Sequence, residues 1–201
     1  MNVTDLIKRK LEKVVTREQA EQAIKVLLAW AGDNPNREGL LETPKRVVKA
    51  FEEYFSGYLI DPYKDLEKTF GDVEGYDDMV IQKNISIYSH CEHHMAPIIG
   101  VAHVAYVPHE KVVGLSKLAR VVEAYSRRLQ TQERLTMEIA NTIFKGLKAQ
   151  GAAVSVDAVH HCMTSRGIKK HEATTVTNYF TGVFKESYNL QNRFLHYIHQ
   201  K

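Results

Sequence analysis

Val80-Ile81-Gln82-Lys83-Asn84-Ile85-Ser86-Ile87 is where the character of the chain changes. Upstream, apolar residues recur at helical spacing. Within this stretch they alternate in part and are β-branched, the pattern of a half-buried strand. Residues 79–89 therefore read as a first strand. Pro97 to Val107, with Val101, Val104, Tyr106 and Val107, reads as a second. Leu115 to about Arg128 and Gln132 to about Gln150 have the period of two long helices. Ala152 to Cys162 and Ala173 to Lys185 read as the third and fourth strands, and Asn189 to Gln200 as a short final helix. The order β-β-α-α-β-β predicts an α+β domain, a four-stranded antiparallel sheet with helices on one face. Such a sheet leaves exposed edges that need covering or pairing, so oligomerisation through the sheet is expected.

Working towards the N-terminus, Thr16-Arg17-Glu18-Gln19 opens a helix running to about Gly32. Thr16 is placed as N-cap and Gln19 as the reciprocal member of a capping box. Thr43-Pro44 signals another helix, with Thr43 capping and Pro44 in the first turn. That helix carries Val47, Val48, Phe51 and Tyr54 and ends near Gly57. The chain thus divides into an N-terminal helical segment, 1–60, and a second domain, 61–201. Its 201 residues, 44% hydrophobic and 25% charged, are those of an ordinary globular protein. No run approaches the roughly 18 apolar residues of a membrane span. The net charge of +3 is small and its basic residues are scattered, so neither a membrane nor nucleic acid is expected as a partner. The polar opening Asn2-Val3-Thr4-Asp5-Leu6-Ile7-Lys8 lacks the apolar core of a secretory signal, which predicts a cytoplasmic protein.

Chemistry concentrates in Cys91-Glu92-His93-His94 and His160-His161-Cys162. Each of the two cysteines sits beside histidines. Zinc favours mixed thiolate and imidazole ligands, and a catalytic zinc keeps one position open. Cys91, His94 and Cys162 would supply three ligands, leaving His93 and His160 for proton transfer. Strand alternation places His160 and Cys162 on one face and His161 on the other. A disulfide, two unrelated buried thiols, a redox pair and a closed four-ligand zinc site are the competing readings. A reducing compartment disfavours the disulfide.

Two helix starts also carry candidates. Lys117 and Arg120 share a face near the start of the first long helix. Cations there oppose the helix dipole, so they either reach into water or hold an anion such as phosphate. Arg46, in the first turn of the Thr43-Pro44 helix, invites the same reading, and Arg166 follows Cys162 by four residues. Glu133 opens the second long helix. An acid there is favourable in itself, yet a carboxylate also matches the paired N–H donors of guanine.

Taken together, Cys91-Glu92-His93-His94, Gly114-Leu115-Ser116-Lys117-Leu118-Ala119-Arg120, Gln132-Glu133-Arg134-Leu135 and Asp157-Ala158-Val159-His160-His161-Cys162 with Arg166-Gly167 resemble GTP cyclohydrolase I of the zinc-dependent type. The similarity runs from about Glu38 to Lys185 and includes Glu42-Thr43-Pro44-Lys45-Arg46. It implies the tunnelling fold in residues 61–201 and a homodecamer with sites between subunits. It implies conversion of GTP and water to formate and 7,8-dihydroneopterin triphosphate, the entry to folate or tetrahydrobiopterin synthesis. By motif position, Cys91, His94 and Cys162 resemble zinc ligands, and His93 and His160 the acid–base histidines. Gln132 and Glu133 resemble guanine contacts. Lys117, Arg120 and Arg166, with Arg46 from a neighbour, resemble triphosphate contacts, and Ser116 a substrate-positioning hydroxyl. His161 stands where other members often carry an aromatic or another residue. The alternative from a different class is a zinc-stabilised guanine-nucleotide-binding protein without turnover, which would have no use for His93 and His160.

Overall fold

The computed structural model describes residues 15–71 and 76–200; the opening stretch 2–8 lies outside them. The chain divides into two compact units with the boundary between Phe55 and Ser56. In the first, α1 is Arg17–Trp30 and α2 is Thr43–Tyr54. Thr16 caps α1 as expected: its hydroxyl accepts from Gln19 N while Gln19 Oε1 accepts from Thr16 N, the full capping box. Thr43 is not a cap. It is the first helical residue of α2, Glu42 holds the cap position without a side-chain bond, and Pro44 lies in the first turn.

The second unit holds β1 (Thr69–Phe70), β2 (Val80–Cys91), β3 (Pro97–Val107), β4 (Val112–Val113), α3 (Leu115–Ser126), β5 (Leu129–Gln130), α4 (Gln132–Gly146), β6 (Gly151–His160), α5 (His161–Thr164), β7 (Thr175–Phe180), α6 (Val183–Glu186) and α7 (Tyr188–His199). Its main sheet has the order β5-β2-β3-β6-β7. The four long strands are antiparallel neighbours, in the β-β-α-α-β-β order expected from the sequence. β5, a two-residue strand, adds a fifth member parallel to β2, pairing His90 with Leu129 and Cys91 with Gln130.

Alternation along the strands builds the core. Ala102, Val104 and Tyr106 of β3 and Ala152, Val154 and Val156 of β6 pack with Leu118, Val121, Val122, Leu135, Ile139 and Ile143 of α3 and α4. The intervening residues Ala105, Val107 and Ala153 meet Phe184, Phe194 and Ile198 in a smaller second cluster. The two long helices thus cover one face, and the chain's last helix covers part of the other. Gly100 of β3 sits opposite Ala158 of β6. A Cβ there would come within 2.1 Å of the Asp157 carbonyl oxygen, so the two strands approach as only glycine permits.

Several boundaries depart from the sequence reading: the first strand runs on to Cys91 rather than stopping at residue 89, and the second long helix ends at Gly146 rather than near Gln150. The third strand ends at His160, and Cys162 belongs to the helical turn α5 rather than to the strand. The fourth ends at Phe180; Val183–Glu186 is a helical turn entered through Gly182 at φ +50°.

Candidate active site and metal centre

Cys91 is the last residue of β2, and a tight loop returns the chain to β3. Cys91 N donates to Ala96 O at 2.8 Å and Met95 N donates to Cys91 O at 2.8 Å, with Met95 at φ +52°. The turn throws His93 and His94 back over the Cys91 sulfur: Sγ lies 3.6 Å from His93 Nδ1 and 3.9 Å from His94 Nδ1. The ligand atoms of Cys91, His94 and Cys162 all lie within 4.8 Å of one another. Ligand atoms around a tetrahedral zinc stand about 3.5–3.8 Å apart, given bonds of roughly 2.0–2.3 Å. A small contraction of this cluster meets that geometry.

The donor set itself points to a cation. Burial first, and then the Cys91 sulfur beside it, push the Cys162 thiol above its ordinary value; Arg166 only partly opposes this. The Cys162 thiol in its half-buried niche therefore resists becoming a thiolate until a positive ion sits beside it. Both cysteines are free thiols. The expectation that His160 and Cys162 share a strand face fails, because the chain turns into α5 after His160. Cys162 reaches the cluster from that turn.

His160 is held from behind. Its Nε2 lies 2.8 Å from Gln132 Oε1. Gln132 is 1% exposed, and its Nε2 is within donating distance of Val156 O (3.1 Å), Thr175 O (2.7 Å) and Thr177 Oγ1 (3.2 Å). A flipped amide would press its oxygen against two carbonyls, so the orientation follows from the neighbours. Oε1 only accepts, and His160 therefore donates from Nε2, leaving Nδ1 as the basic nitrogen. Burial lowers the His160 pKa, with Glu133 partly restoring it. The resting ring is neutral near pH 7. Gln132, expected to contact guanine, instead has its amide committed within the protein.

Glu133, next to it, is exposed. It lines an open cleft of about 560 Å³ with Met137, Thr177, Asn178 and Tyr179. The start of α4 is tied to the loop after Cys91 by Arg134, whose guanidinium reaches Glu92 Oε2 (2.7 Å), Gln130 Oε1 (2.9 Å) and Leu129 O (2.7 Å). Glu92 N in turn donates to Gln130 O at 3.0 Å. Arg134 and Glu92 lie inside conspicuous motifs, but their pairing spans 42 positions and has no local signal.

Ser116, Lys117 and Arg120 lie together in the first turns of α3, Ser116 and Arg120 exposed and Lys117 half-buried. Lys117 and Arg120 both bond Asp65, a partner that sequence reasoning missed. Arg166 is exposed in the turn after α5. Arg46 is exposed on α2 and belongs to the first unit. Among the described residues, no helix is long and apolar enough to cross a membrane.

The family model described as GTP cyclohydrolase I matches residues 20–199. A GTP cyclohydrolase 1 from Pelagibacter ubique is 67% identical over 186 residues, covering 92% of each chain. One from Maricaulis maris is 58% identical over 180 residues, covering 90% of this chain and 88% of its own. One from Brucella suis is 55% identical over 186 residues, covering 92% and 87%. Among solved structures, an archaeosine synthase QueF-like protein in the apo form aligns at TM-score 0.43 and 16% identity, over 52% of this chain and 93% of its own. The chain belongs to the GTP cyclohydrolase I family and is an enzyme.

Proposed function

We propose that residues 61–201 form the catalytic domain of a cytoplasmic, zinc-dependent enzyme that opens the guanine imidazole ring of GTP, releases formate and forms 7,8-dihydroneopterin triphosphate. The observation that carries this is the convergence of Cys91, His94 and Cys162 within 4.8 Å, with His160 two residues before Cys162 in the chain and hydrogen-bonded to Gln132. Zinc held by these three residues would supply a water acidified to near neutrality. His160, fixed by Gln132 as an Nε2 donor, offers its Nδ1 lone pair for proton transfer. His93, largely exposed yet 3.6 Å from the Cys91 sulfur, is the second acid–base group. Glu133 takes the guanine edge in the cleft. Ser116, Lys117, Arg120 and Arg166 take the triphosphate, with Arg46 contributed by a neighbouring subunit of a homodecamer. The product enters pterin synthesis, towards folate or tetrahydrobiopterin. Gln132 moves from guanine contact to positioning residue behind His160.

Incubation of purified protein with GTP should release one equivalent of formate per dihydropterin, seen as the fluorescence of oxidised neopterin. Tight GTP binding without formate would instead favour a nucleotide-binding protein without turnover.

Glu133→Gln tests the guanine assignment. The amide puts a donor where the ligand also donates, a mismatch worth roughly 1–3 kcal/mol. The variant should keep its zinc and its melting temperature while KM for GTP rises. An unchanged KM would return Glu133 to a helix-start acid alone.

A further inference from the structure

Asp65 Oδ1 stands 3.0 Å from Lys117 Nζ and 3.3 Å from an Arg120 terminal nitrogen. One carboxylate oxygen bridges two cations on one face of α3, the position an incoming anion would take. Asp65 lies in the 3₁₀ turn Lys64–Leu66, and its neighbour Leu66 is sealed into the core at 1% exposure. The anchor limits how far Asp65 can withdraw. Burial raises its pKa, but the hydrogen bonds and charges of Lys117 and Arg120 outweigh that and hold it below the ordinary carboxylate value. It is therefore ionised across the neutral range.

We infer that Asp65 is a resident counter-anion of the triphosphate subsite, weakening the grip of Lys117 and Arg120 so that a triphosphate product can leave. The inference rests on the reading of those two cations as triphosphate contacts. The proposed reaction leaves all three phosphates untouched, so whatever binds them in GTP binds them equally in the product. Such uniform binding does not lower the chemical barrier, and an excess of it retards release. Asp65 costs the subsite little in donors. Lys117 has three N–H donors and Arg120 five, and Asp65 engages one of each. What it subtracts is charge.

Asp65→Asn separates the two effects, because the amide keeps an acceptor oxygen in place while losing the charge. One unit charge about 6 Å from another in a water-like dielectric corresponds to about threefold in affinity. Calorimetric titration of the zinc-loaded protein with inorganic tripolyphosphate should give binding at least threefold tighter for Asp65→Asn than for wild type, with zinc content checked afterwards. The advantage should shrink as salt is raised, and KM for GTP should fall in parallel. Lys117→Ala is the control for the subsite. If it weakens tripolyphosphate binding while Asp65→Asn fails to strengthen it, the subsite stands and Asp65 merely orients the cations. If Lys117→Ala leaves binding as it was, the triphosphate assignment itself falls and takes the role of Asp65 with it.

Discussion

Cys162→Ser should lose zinc and turnover together while the protein stays folded. Cys162 is half-buried on the one-turn helix α5, so exchanging sulfur for oxygen disturbs little packing. It does remove one of the three proposed ligands and the soft donor that zinc prefers. Cys91→Ser should lose zinc equally and also melt at a lower temperature, because Cys91 is buried within the main core cluster and a hydroxyl there is poorly solvated. Metal analysis, formate release and thermal melting on both variants check this in one series. GTP should still bind the zinc-free variants, since Glu133, Lys117 and Arg120 are unchanged. Zinc-free Cys162→Ser with wild-type turnover would overturn the metal assignment.

The second large effect belongs to His160→Ala, which should keep its zinc and lose at least about 10²-fold in kcat, the loss typical of a general acid–base group. Gln132→Ala should lower kcat less and alter its pH profile. Without the Oε1 acceptor, the proton on His160 is no longer confined to Nε2, and the titration of the ring shifts with its surroundings. His161→Ala, one position on, should leave kcat near normal. The measurement is kcat against pH, with zinc content, for the three variants. If His161→Ala is the inactive one and His160→Ala is near normal, the catalytic assignment falls.

The first three long strands and the two long helices were legible because each repeats its period over ten or more residues. What was not legible is too short to repeat a period. Leu129–Gln130 is two residues long, and no alternation can announce it. His161–Thr164 carries no glycine, proline or other breaker, so the strand pattern of residues 152–160 reads through it, and the face assigned to Cys162 followed that error. The cap of α2 was misplaced by one residue because threonine before proline is the commoner signature. The Cys91, His94 and Cys162 cluster was visible because the sequence has two cysteines and each stands beside histidines. The role of Gln132 was hidden, since its partners at Val156, Thr175 and Thr177 lie 24 to 45 positions away. Asp65 was hidden for the same reason, standing 52 and 55 positions from its cations.

The two-residue strand β5 has a consequence for anyone rebuilding this enzyme. It joins the end of β2 to the start of α4, and Arg134 rivets the join through Glu92, Gln130 and Leu129. The loop that bears His93 and His94 and the helix turn that bears Gln132 and Glu133 are consequently one mechanical part made from two distant stretches of sequence. A graft of residues 91–96 alone would arrive without its counterpart, and a directed library that varies one stretch while holding the other would discard most of its members. Recombination between relatives should place its crossovers outside 91–134, so that the part is inherited whole.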